Sequence, residues 1–258
     1  MVPRQHRTRG SVVNVIKYPV CGVPIAALDA ERAAIVIAEA AAAGGGYQVH
    51  LCNAYTLSLV DDDLRLRETL LAADLNLADG APVAWFGKKY GMAGPVRGPS
   101  LVKAVCREGR LTGLRHYFYG GAPGVVERMA GVLTEKAPGI QVAGCESPPF
   151  GEPTEDELRN LVDRAKNVDA SVIWVGLGTP RQDYVVPKLA EMSERTVIPV
   201  GAAFDFLAGT VKQAPSALHN TGLEWVYRLG ADPQRLWKRY LVGNPRFLVR
   251  AFRHRRRP

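Results

Sequence analysis

The chain lacks any apolar run long enough to cross a membrane. No stretch reaches about 18 uncharged apolar residues, and only four cysteines occur in the 258 residues. The cysteines are Cys21, Cys52, Cys106 and Cys145, and their scattered spacing fits no metal site. We interpret each as a small buried hydrophobic residue in a reducing compartment. These absences favour a cytoplasmic protein without a disulfide framework.

Common nucleotide and nucleic-acid motifs are missing as well. The sequence contains no G-x-G-x-x-G or P-loop pattern, which disfavours an NAD-dependent enzyme or an ATPase. The basic run Arg253–Arg257 lacks the interleaved aromatic residues and the fold motif of a base-reading protein, so we expect no nucleic acid partner. Asn14 and Lys17 interrupt the apolar residues after the basic N-terminus, which disfavours a signal peptide.

The net positive charge is confined to the last 37 residues. The chain has 33 basic and 25 acidic residues, and ten of the basic and two of the acidic residues lie within 222–258. The rest of the chain therefore has 23 residues of each sign. The formal net charge of +8 is therefore a local property of this segment. Such a segment is suited to an anionic surface, for example lipid headgroups or a pyrophosphate. We divide the chain into a body, residues 1–221, and a basic C-terminal appendage, residues 222–258.

The appendage carries two apolar stripes at helical spacing. Asp232 and Pro233 predict a helix that Gly243 ends, and Asn244-Pro245 repeats the start signal. Two short basic amphipathic helices predict a membrane-surface anchor. The alternative is a helical pair packed on the core, with solvated arginines. For the anchor we expect membrane contacts from Trp237, Tyr240, Arg246, Phe247, Arg250 and Phe252.

Short β-rich segments alternate with helical patterns in the body. Strands are predicted at Tyr47–Leu51, Leu75–Ala78, His116–Tyr119, Ile140–Ala143, Val172–Val175 and Val197–Val200. Helices are predicted at Ala30–Ala43, Pro123–Lys136, Glu155–Lys166 and Pro180–Met192. This alternation predicts an α/β fold: a mostly parallel, Rossmann-like sheet with helices on both faces. Ligands of such sheets bind at the C-terminal ends of the strands.

Two of these strands end in glycine-rich loops that precede a helix. Gly120-Gly121 follows one strand and Gly176–Asp183 another, with Thr179 as a plausible N-cap and Pro180 as the first helical residue. Free backbone N–H groups at a helix start bind anions. Two such loops in one sheet favour a nucleotide-diphosphate ligand, although each loop alone is equally explained as a tight turn.

A third strand ends in Asp79-Gly80. A carboxylate at the tip of a buried strand can take a proton from a substrate hydroxyl, although Asp-Gly also favours turns. Asp61-Asp62-Asp63 contains a D-x-D pattern that would suit a metal–nucleotide site. Because it lies between two helical stretches, we interpret it as a solvated helix cap and expect no metal.

An ordered set of residues from about position 12 to 248 resembles the WecG/TagA/CpsF family of bacterial glycosyltransferases, glycosyltransferase family 26. The matching residues are Asn53, Ala78-Asp79-Gly80, Arg97-Gly98, Tyr119-Gly120-Gly121, Gly176–Asp183, Gly201–Gly209, Gly222–Trp225, Arg228-Leu229, Pro233, Arg235-Leu236, Arg239-Tyr240, Asn244 and Phe247. The chain departs from the family at Leu51, where Thr is frequent, and at Ala78, where Pro is frequent. These departures bear on donor-sugar preference, not on the reaction class.

The resemblance implies an inverting, metal-independent enzyme without a cofactor. It would transfer an N-acetylmannosamine-type sugar or other hexose from a UDP-sugar to a polyprenyl-diphosphate-linked saccharide, at the cytoplasmic face of the membrane, for cell-surface polysaccharide. It implies Asp79 as general base, and the family's appendage is thought to bring arginines to the active site. The competing hypothesis is a non-catalytic membrane scaffold that binds nucleotide sugars, and a homo-oligomer is left open.

Candidate residues follow for each ligand. For the donor they are Asn53, Arg97, Gly120, Gly121, Gly176, Gly178, Thr179, Arg181, Gln182, Phe204 and Asp205. Phe204 is either a wall of the pocket or a core residue. For the acceptor or a diphosphate they are Arg228, Arg235 and Arg239.

Overall fold

The computed structural model describes residues 15–215, 218 and 221–255, without the side chains of Arg235 and Arg255. The basic run Arg253–Arg257 extends past the described residues, and the Arg235 side chain, predicted to bind the acceptor or a diphosphate, also lies outside them. Eight strands occur in the described part of the chain. They are β1 Lys17–Val20, β2 Val23–Ala26, β3 Val49–Cys52, β4 Leu75–Ala78, β5 Arg115–Gly120, β6 Gln141–Glu146, β7 Val172–Gly176 and β8 Thr196–Pro199.

The helices of the described residues fall between and after these strands. They are α1 Ala30–Ala43, α2 Ala54–Leu59, α3 Leu64–Ala72, α4 Ala81–Gly87, α5 Gly98–Gly109, α6 Val125–Lys136, α7 Glu155–Asn167, α8 Arg181–Ser193, α9 Ala203–Ala208, α10 Glu224–Ala231, α11 Pro233–Trp237 and α12 Gly243–Arg255. A short 3₁₀ segment, Lys88–Tyr90, follows α4, and a π-helical segment, Lys238–Val242, joins α11 to α12.

The helix starts follow ordinary capping chemistry. Asp29 caps α1 by accepting from the Arg32 backbone N–H at 2.8 Å. Thr154 and Glu157 form a reciprocal capping box at the start of α7. α8 begins at Arg181, one residue later than predicted, and Pro180 occupies its cap without a side-chain hydrogen bond. Thr179 is not the cap, because its hydroxyl instead accepts from Gln182 Nε2 at 3.4 Å.

The strands form two four-stranded groups, ordered β1-β2-β4-β3 and β6-β5-β7-β8. A parallel bridge between Gln48 and Val197 brings β3 beside β8, so the groups meet edge to edge. All pairings are parallel except β1 with β2. The mostly parallel α/β fold predicted from the sequence is confirmed, and it places the C-terminal ends of β3, β4, β5, β7 and β8 along one edge.

Successive residues of the central strands face opposite sides of this sheet. Phe118 and Trp174 stack at 6.2 Å in the core beneath α1, α5, α6 and α9. Tyr119 and Val175 belong to the cluster under α7 and α8. Each large side chain removed from water in this way stabilises the fold by about 1.5–3 kcal/mol. Helices therefore cover both faces, as the alternation of strands and helices predicted.

The hairpin β1–β2 was not predicted from the sequence. Cys21 and Gly22 form its two-residue turn with φ of 52° and 78°, the left-handed geometry that two-residue hairpins require. Pro19 and Pro24 lie inside its two strands, and proline weakens the strand signal. Tyr18 and Ile25 are nonetheless fully buried, so burial of the hairpin's inner face outweighs its weak local propensity.

The appendage is more continuous than predicted. Gly243 does not end a helix: its φ of −66° and ψ of −43° are helical, and the chain runs on into α12. A Cβ at Gly243 would lie only 3.1 Å from the Tyr55 ring. The glycine therefore permits a close approach of α12 to α2 instead of terminating a helix.

The second half of the appendage packs into the body. Phe247 is 1% exposed and meets the Phe86 ring edge-on at 6.0 Å. Arg250 donates to Asp62 Oδ1 at 2.6 Å, and Arg246 Nη1 lies 3.1 Å from Asp62 Oδ2. Phe247 and Arg250 thus hold α12 in place, which corrects their predicted position at a membrane. The boundary at residue 222 stays a prediction.

Truncating Phe247 is expected to destabilise the whole fold. Phe247→Ala should lower the free energy of unfolding by about 3–5 kcal/mol, because a buried aromatic ring leaves a cavity. The matched control is Val249→Ala on the same helix, whose side chain is 61% exposed and should change stability by less than about 0.5 kcal/mol. Urea unfolding measures both. Equal stabilities for Phe247→Ala and the control would contradict the packing of α12.

Candidate active site

A cleft opens at the C-terminal ends of β3 and β4. It holds about 700 Å³ of empty space, part of it open to solvent. One side consists of the ends of the two strands and the starts of α2 and α4, and the other consists of α10, the π-helical segment and the start of α12. We call it the Asp79 cleft. The appendage therefore supplies one wall of the site.

Asp79 reaches this cleft from the tip of β4. Its backbone N–H donates to the Cys52 carbonyl at 3.0 Å, which continues the ladder by one residue. Gly80, with φ of 86°, then turns the chain into α4. This turn requires the left-handed region that glycine tolerates without strain. The strand end and the turn together fix the carboxylate at the floor of the cleft.

Asn53 orients the Asp79 carboxylate. Its Oδ1 caps α2 by accepting from the Thr56 N–H at 3.1 Å, and its Nδ2 donates to Asp79 Oδ2 at 3.4 Å. Because each end of the amide has a partner, the side chain is held in one orientation. The predicted donor-binding residue Asn53 therefore lies in direct contact with the predicted base.

Opposing influences act on the Asp79 carboxyl. Burial raises its pKa most, and the negative charge of Glu224 also raises it. The positive charges of Arg228 and Arg239 and the hydrogen bond from Asn53 lower the pKa. Together these influences leave the pKa above its ordinary value. A higher pKa makes a carboxylate a stronger proton acceptor. The arginines keep the ionised form accessible, so the group is suited to take up a proton.

Glu224 links two arginines across the cleft. Its Oε1 accepts from Arg97 Nη2 at 2.7 Å and from Arg228 Nη2. Arg228 also lies over the Phe206 ring, 4.9 Å from its centroid. Burial lowers the pKa of Arg228, but the larger combined effect of Glu224, Tyr240 and Asp79 raises it. The pKa therefore lies above its usual value, and the guanidinium stays charged. The acidic residue thereby holds two positive charges at the site.

Arg239 enters the cleft from the π-helical segment. Its guanidinium lies 5.1 Å from the centroid of the Tyr55 ring. The Nε atoms of Arg228 and Arg239 are both buried and have no hydrogen-bond partner within the described part of the chain. Buried donors of this kind usually find an acceptor. Each guanidinium, which lines the cleft, therefore retains one buried donor without a partner within the described residues.

Aromatic rings complete the wall, and sequence reasoning missed two of them. Trp225 and Tyr240 lie 6.0 Å apart at the cleft, and Tyr55 lines it beside Asn53. Tyr240, which was predicted to contact a membrane, lines the cleft beside Trp225. Glu224 and Trp225 fall in the family-like block of the appendage, which was the signal available for them.

The glycine loops after β5 and β7, residues 120–124 and 176–182, lie farther along the same edge. Gly121 N–H donates to the Gly176 carbonyl at 3.1 Å, and a Cβ on Gly120 would come within 2.6 Å of Gly176. A Cβ on Gly176 would in turn lie 2.6 Å from the Phe204 ring. Phe204 is fully buried and packs on Phe118. Of the two predicted alternatives, pocket wall or core residue, it is therefore the core residue, and it supports the glycine loops.

Other predicted donor residues shape these loops. Gln182 Oε1 accepts from the Gly178 N–H at 3.0 Å, and its Nε2 donates to Thr179. The Gln182 amide is therefore occupied within the loop. Asp205 Oδ1 accepts from the Thr210 hydroxyl at 3.4 Å. Arg181, the first residue of α8, lies over the Phe150 ring at 4.2 Å.

The structure thus separates the predicted residues into two adjacent groups. The Asp79 cleft unites Asn53, Asp79, Arg97, Arg228 and Arg239, and the glycine loops hold most of the other predicted donor residues. Helix α9 lies between them, with Phe204 against the loops and Phe206 against Arg228. The buried contact of His50 Nδ1 with Asp183 Oδ1, at 2.9 Å, also ties β3 to the start of α8.

The aspartate triplet serves the packing of helices. Asp63 caps α3 by accepting from the Leu66 N–H at 2.9 Å, as its interpretation as a cap predicted. Asp61 and Asp62 pair with the basic side chains of α12. Across the described ranges, no three His, Cys, Asp or Glu side chains are grouped as metal ligands. In the same residues, no helix has the length and apolar character needed to span a membrane.

A Rossmann-like sheet with a carboxylate and arginine side chains at its C-terminal edge is the arrangement expected of an enzyme with an anionic substrate. Residues 18–258 match the glycosyl transferase WecG/TagA/CpsF family, and the chain belongs to this family. It is 28% identical over 195 residues to the N-acetylglucosaminyldiphosphoundecaprenol N-acetyl-beta-D-mannosaminyltransferase of Bacillus spizizenii, covering 74% of this chain and 73% of the relative. The family resemblance read from the sequence is confirmed, and the chain is a glycosyltransferase.

Proposed function

We propose that the protein transfers a sugar from a UDP-sugar to a polyprenyl-diphosphate-linked saccharide, with inversion and without a metal. The observation that carries the proposal is the Asp79 carboxylate, held by Asn53 and facing Arg228 and Arg239 in one cleft. The name of the Bacillus spizizenii relative supports the acceptor class, because its substrate is a sugar diphosphate of undecaprenol. It also supports an N-acetylmannosamine-type donor sugar.

In the proposed reaction the acceptor hydroxyl lies against Asp79. The carboxylate takes the hydroxyl proton as the oxygen attacks the anomeric carbon of the donor. The bond from that carbon to the UDP oxygen breaks, and UDP leaves with the electron pair. A single displacement from the face opposite the leaving group inverts the anomeric configuration. Asn53 keeps the carboxylate aimed at the hydroxyl throughout.

The leaving diphosphate needs stabilisation of its growing negative charge. The positive end of the α8 helix dipole, directly after the second glycine loop, supplies part of it. The guanidinium groups of Arg228 and Arg239, which line the cleft, supply charge-assisted hydrogen bonds. These two arginines bind either the leaving diphosphate or the diphosphate of the acceptor lipid. The kcat and the acceptor KM of Arg239→Met distinguish the two roles.

We also propose that the appendage rests on the anionic cytoplasmic face of the membrane. Trp237, Leu241, Val249 and Phe252 are exposed on its helices, and burying such side chains in the interface favours binding. Arg253 adds an electrostatic part of about 1 kcal/mol near the surface, and Arg246 adds less because it pairs with Asp62. Since salt screens only that part, high salt should weaken but not abolish binding to anionic vesicles.

The direct test is a transfer assay with the full chain, UDP-N-acetylmannosamine and a lipid-diphosphate-linked N-acetylglucosamine. Release of UDP with formation of a disaccharide lipid is expected, and proton NMR of the product should show the inverted anomer. Activity should persist in EDTA. Activity that EDTA abolishes and Mg²⁺ restores would overturn the metal-free mechanism. Binding without turnover, across a panel of UDP-sugars, would support the scaffold hypothesis instead.

The pH dependence of kcat/KM should report the state of Asp79. The carboxylate is active when ionised, so the rate should fall as pH drops through its raised pKa and reach a plateau above it. Arg239→Met removes a charge that lowers this pKa, so the acid midpoint should move to higher pH. Arg159→Met, an exposed arginine of α7, is the control and should leave the midpoint in place. An unmoved midpoint in Arg239→Met would contradict the coupling.

A further inference from the structure

The loop between β6 and α7, residues 147–153, borders the glycine loops. At its start the Ser147 hydroxyl donates to the Ala122 carbonyl at 3.2 Å, in the loop that follows β5. Near its end Glu152 accepts from Arg65 at 2.8 Å. Both ends of the 147–153 loop are therefore tied to the body, and its central residues are presented beside the predicted anion site.

Phe150 stands at the centre of this loop and is 94% exposed. The guanidinium carbon of Arg181 lies 4.2 Å from its ring centroid, within the range of a cation–π contact. Arg181 is the first residue of α8, directly after the second glycine loop. The Arg181 guanidinium lies over one face of the ring, and the 94% exposure of Phe150 leaves the other face open to a ligand. The pair forms a flat platform beside the anion site.

We propose that the open face of Phe150 is the stacking surface for the nucleobase of the donor. The inference rests on the proposed function, in which the donor diphosphate lies against the glycine loops. In a nucleoside diphosphate one ribose separates the base from the phosphates, so a base would fall next to that anion site. Aromatic rings and arginine planes are the surfaces on which bases stack. The exposed ring is thereby explained as a binding surface that the ligand covers.

The test measures UDP and inorganic pyrophosphate binding by calorimetry. Phe150→Ala should raise the Kd of UDP about tenfold, in line with stacking energies of about 1–3 kcal/mol per base, while Phe150→Tyr should retain affinity. Pyrophosphate, which has no base, should bind both variants and the wild type equally. Leu111→Ala is the matched control: Leu111 is 85% exposed and follows α5, and its loss should leave UDP binding unchanged.

Three outcomes would overturn the proposal. UDP affinity in Phe150→Ala equal to that of the wild type would show that the ring is not a stacking surface. An equal loss of affinity for UDP and pyrophosphate in Phe150→Ala would show that the substitution damages the anion site and not base stacking. A wild-type protein that binds no nucleoside diphosphate would refute both this inference and the UDP-sugar donor. Binding of another nucleoside diphosphate with the same Phe150 dependence would keep the stacking role and reject only the uridine assignment.

Discussion

Replacing Asp79 with asparagine is expected to lower kcat by a factor of about 10²–10⁴, the range of general-base catalysis. The amide has the shape of the carboxylate but cannot accept the hydroxyl proton. Because the acceptor must still be deprotonated as it attacks, the loss should appear in kcat on saturating substrates. UDP-sugar binding should stay nearly unchanged, since the glycine loops and not Asp79 hold the diphosphate in the proposed complex.

The Asp79→Asn measurement needs two comparisons. Asp156→Asn makes the same chemical change on an exposed residue of α7, and its activity should match the wild type. Unfolding in urea should confirm that Asp79→Asn is folded. Near-normal turnover of folded Asp79→Asn at saturation would show that another group takes the proton, and the general-base assignment would be withdrawn.

The sequence predicted the parallel part of the fold because its signals are local. Leu75–Ala78 is a mostly apolar segment with a turn directly after it, and the structure begins and ends β4 at those residues. The hairpin Lys17–Ala26 was missed because its prolines weaken the local pattern, while the burial that stabilises it comes from distant helices. Gly243 was misjudged for a similar reason: its close contact with Tyr55 is invisible without the tertiary structure.

The same distinction applies to the site. Asp79 became a candidate because it directly follows a predicted strand and precedes Gly80, and Asn53 because it matches the family. Glu224 was missed, since its role arises only when Arg97 and Arg228 are brought to it from separate elements. Tyr240 carries an apolar, helix-periodic signal typical of a membrane face, but in the structure it lines the cleft beside Trp225. Contacts between residues that are distant in sequence therefore limited the prediction of the cleft.

Arg239→Met is expected to cause the second large loss, about 10²–10³ in kcat, if its guanidinium stabilises the leaving diphosphate. Arg239 lines the cleft and interacts electrostatically with Asp79, which places its charge beside the reacting groups. If Arg239 instead holds the acceptor diphosphate, the acceptor KM should rise and kcat should change little. Arg239→Lys should recover only part of the activity, because an ammonium keeps the charge but not the planar fork of donors.

The control for Arg239 is its neighbour. Lys238 is exposed and lies over the Trp237 ring, so Lys238→Met removes one positive charge from the same helical turn without touching the cleft. A short-chain, water-soluble acceptor keeps membrane binding out of both measurements. Under these conditions Lys238→Met should retain wild-type kcat and KM, and Arg239→Met should not. Wild-type kinetics in both variants would mean that the Arg239 charge contacts neither diphosphate, and the appendage would then serve the cleft through Arg228, Trp225 and Tyr240 alone.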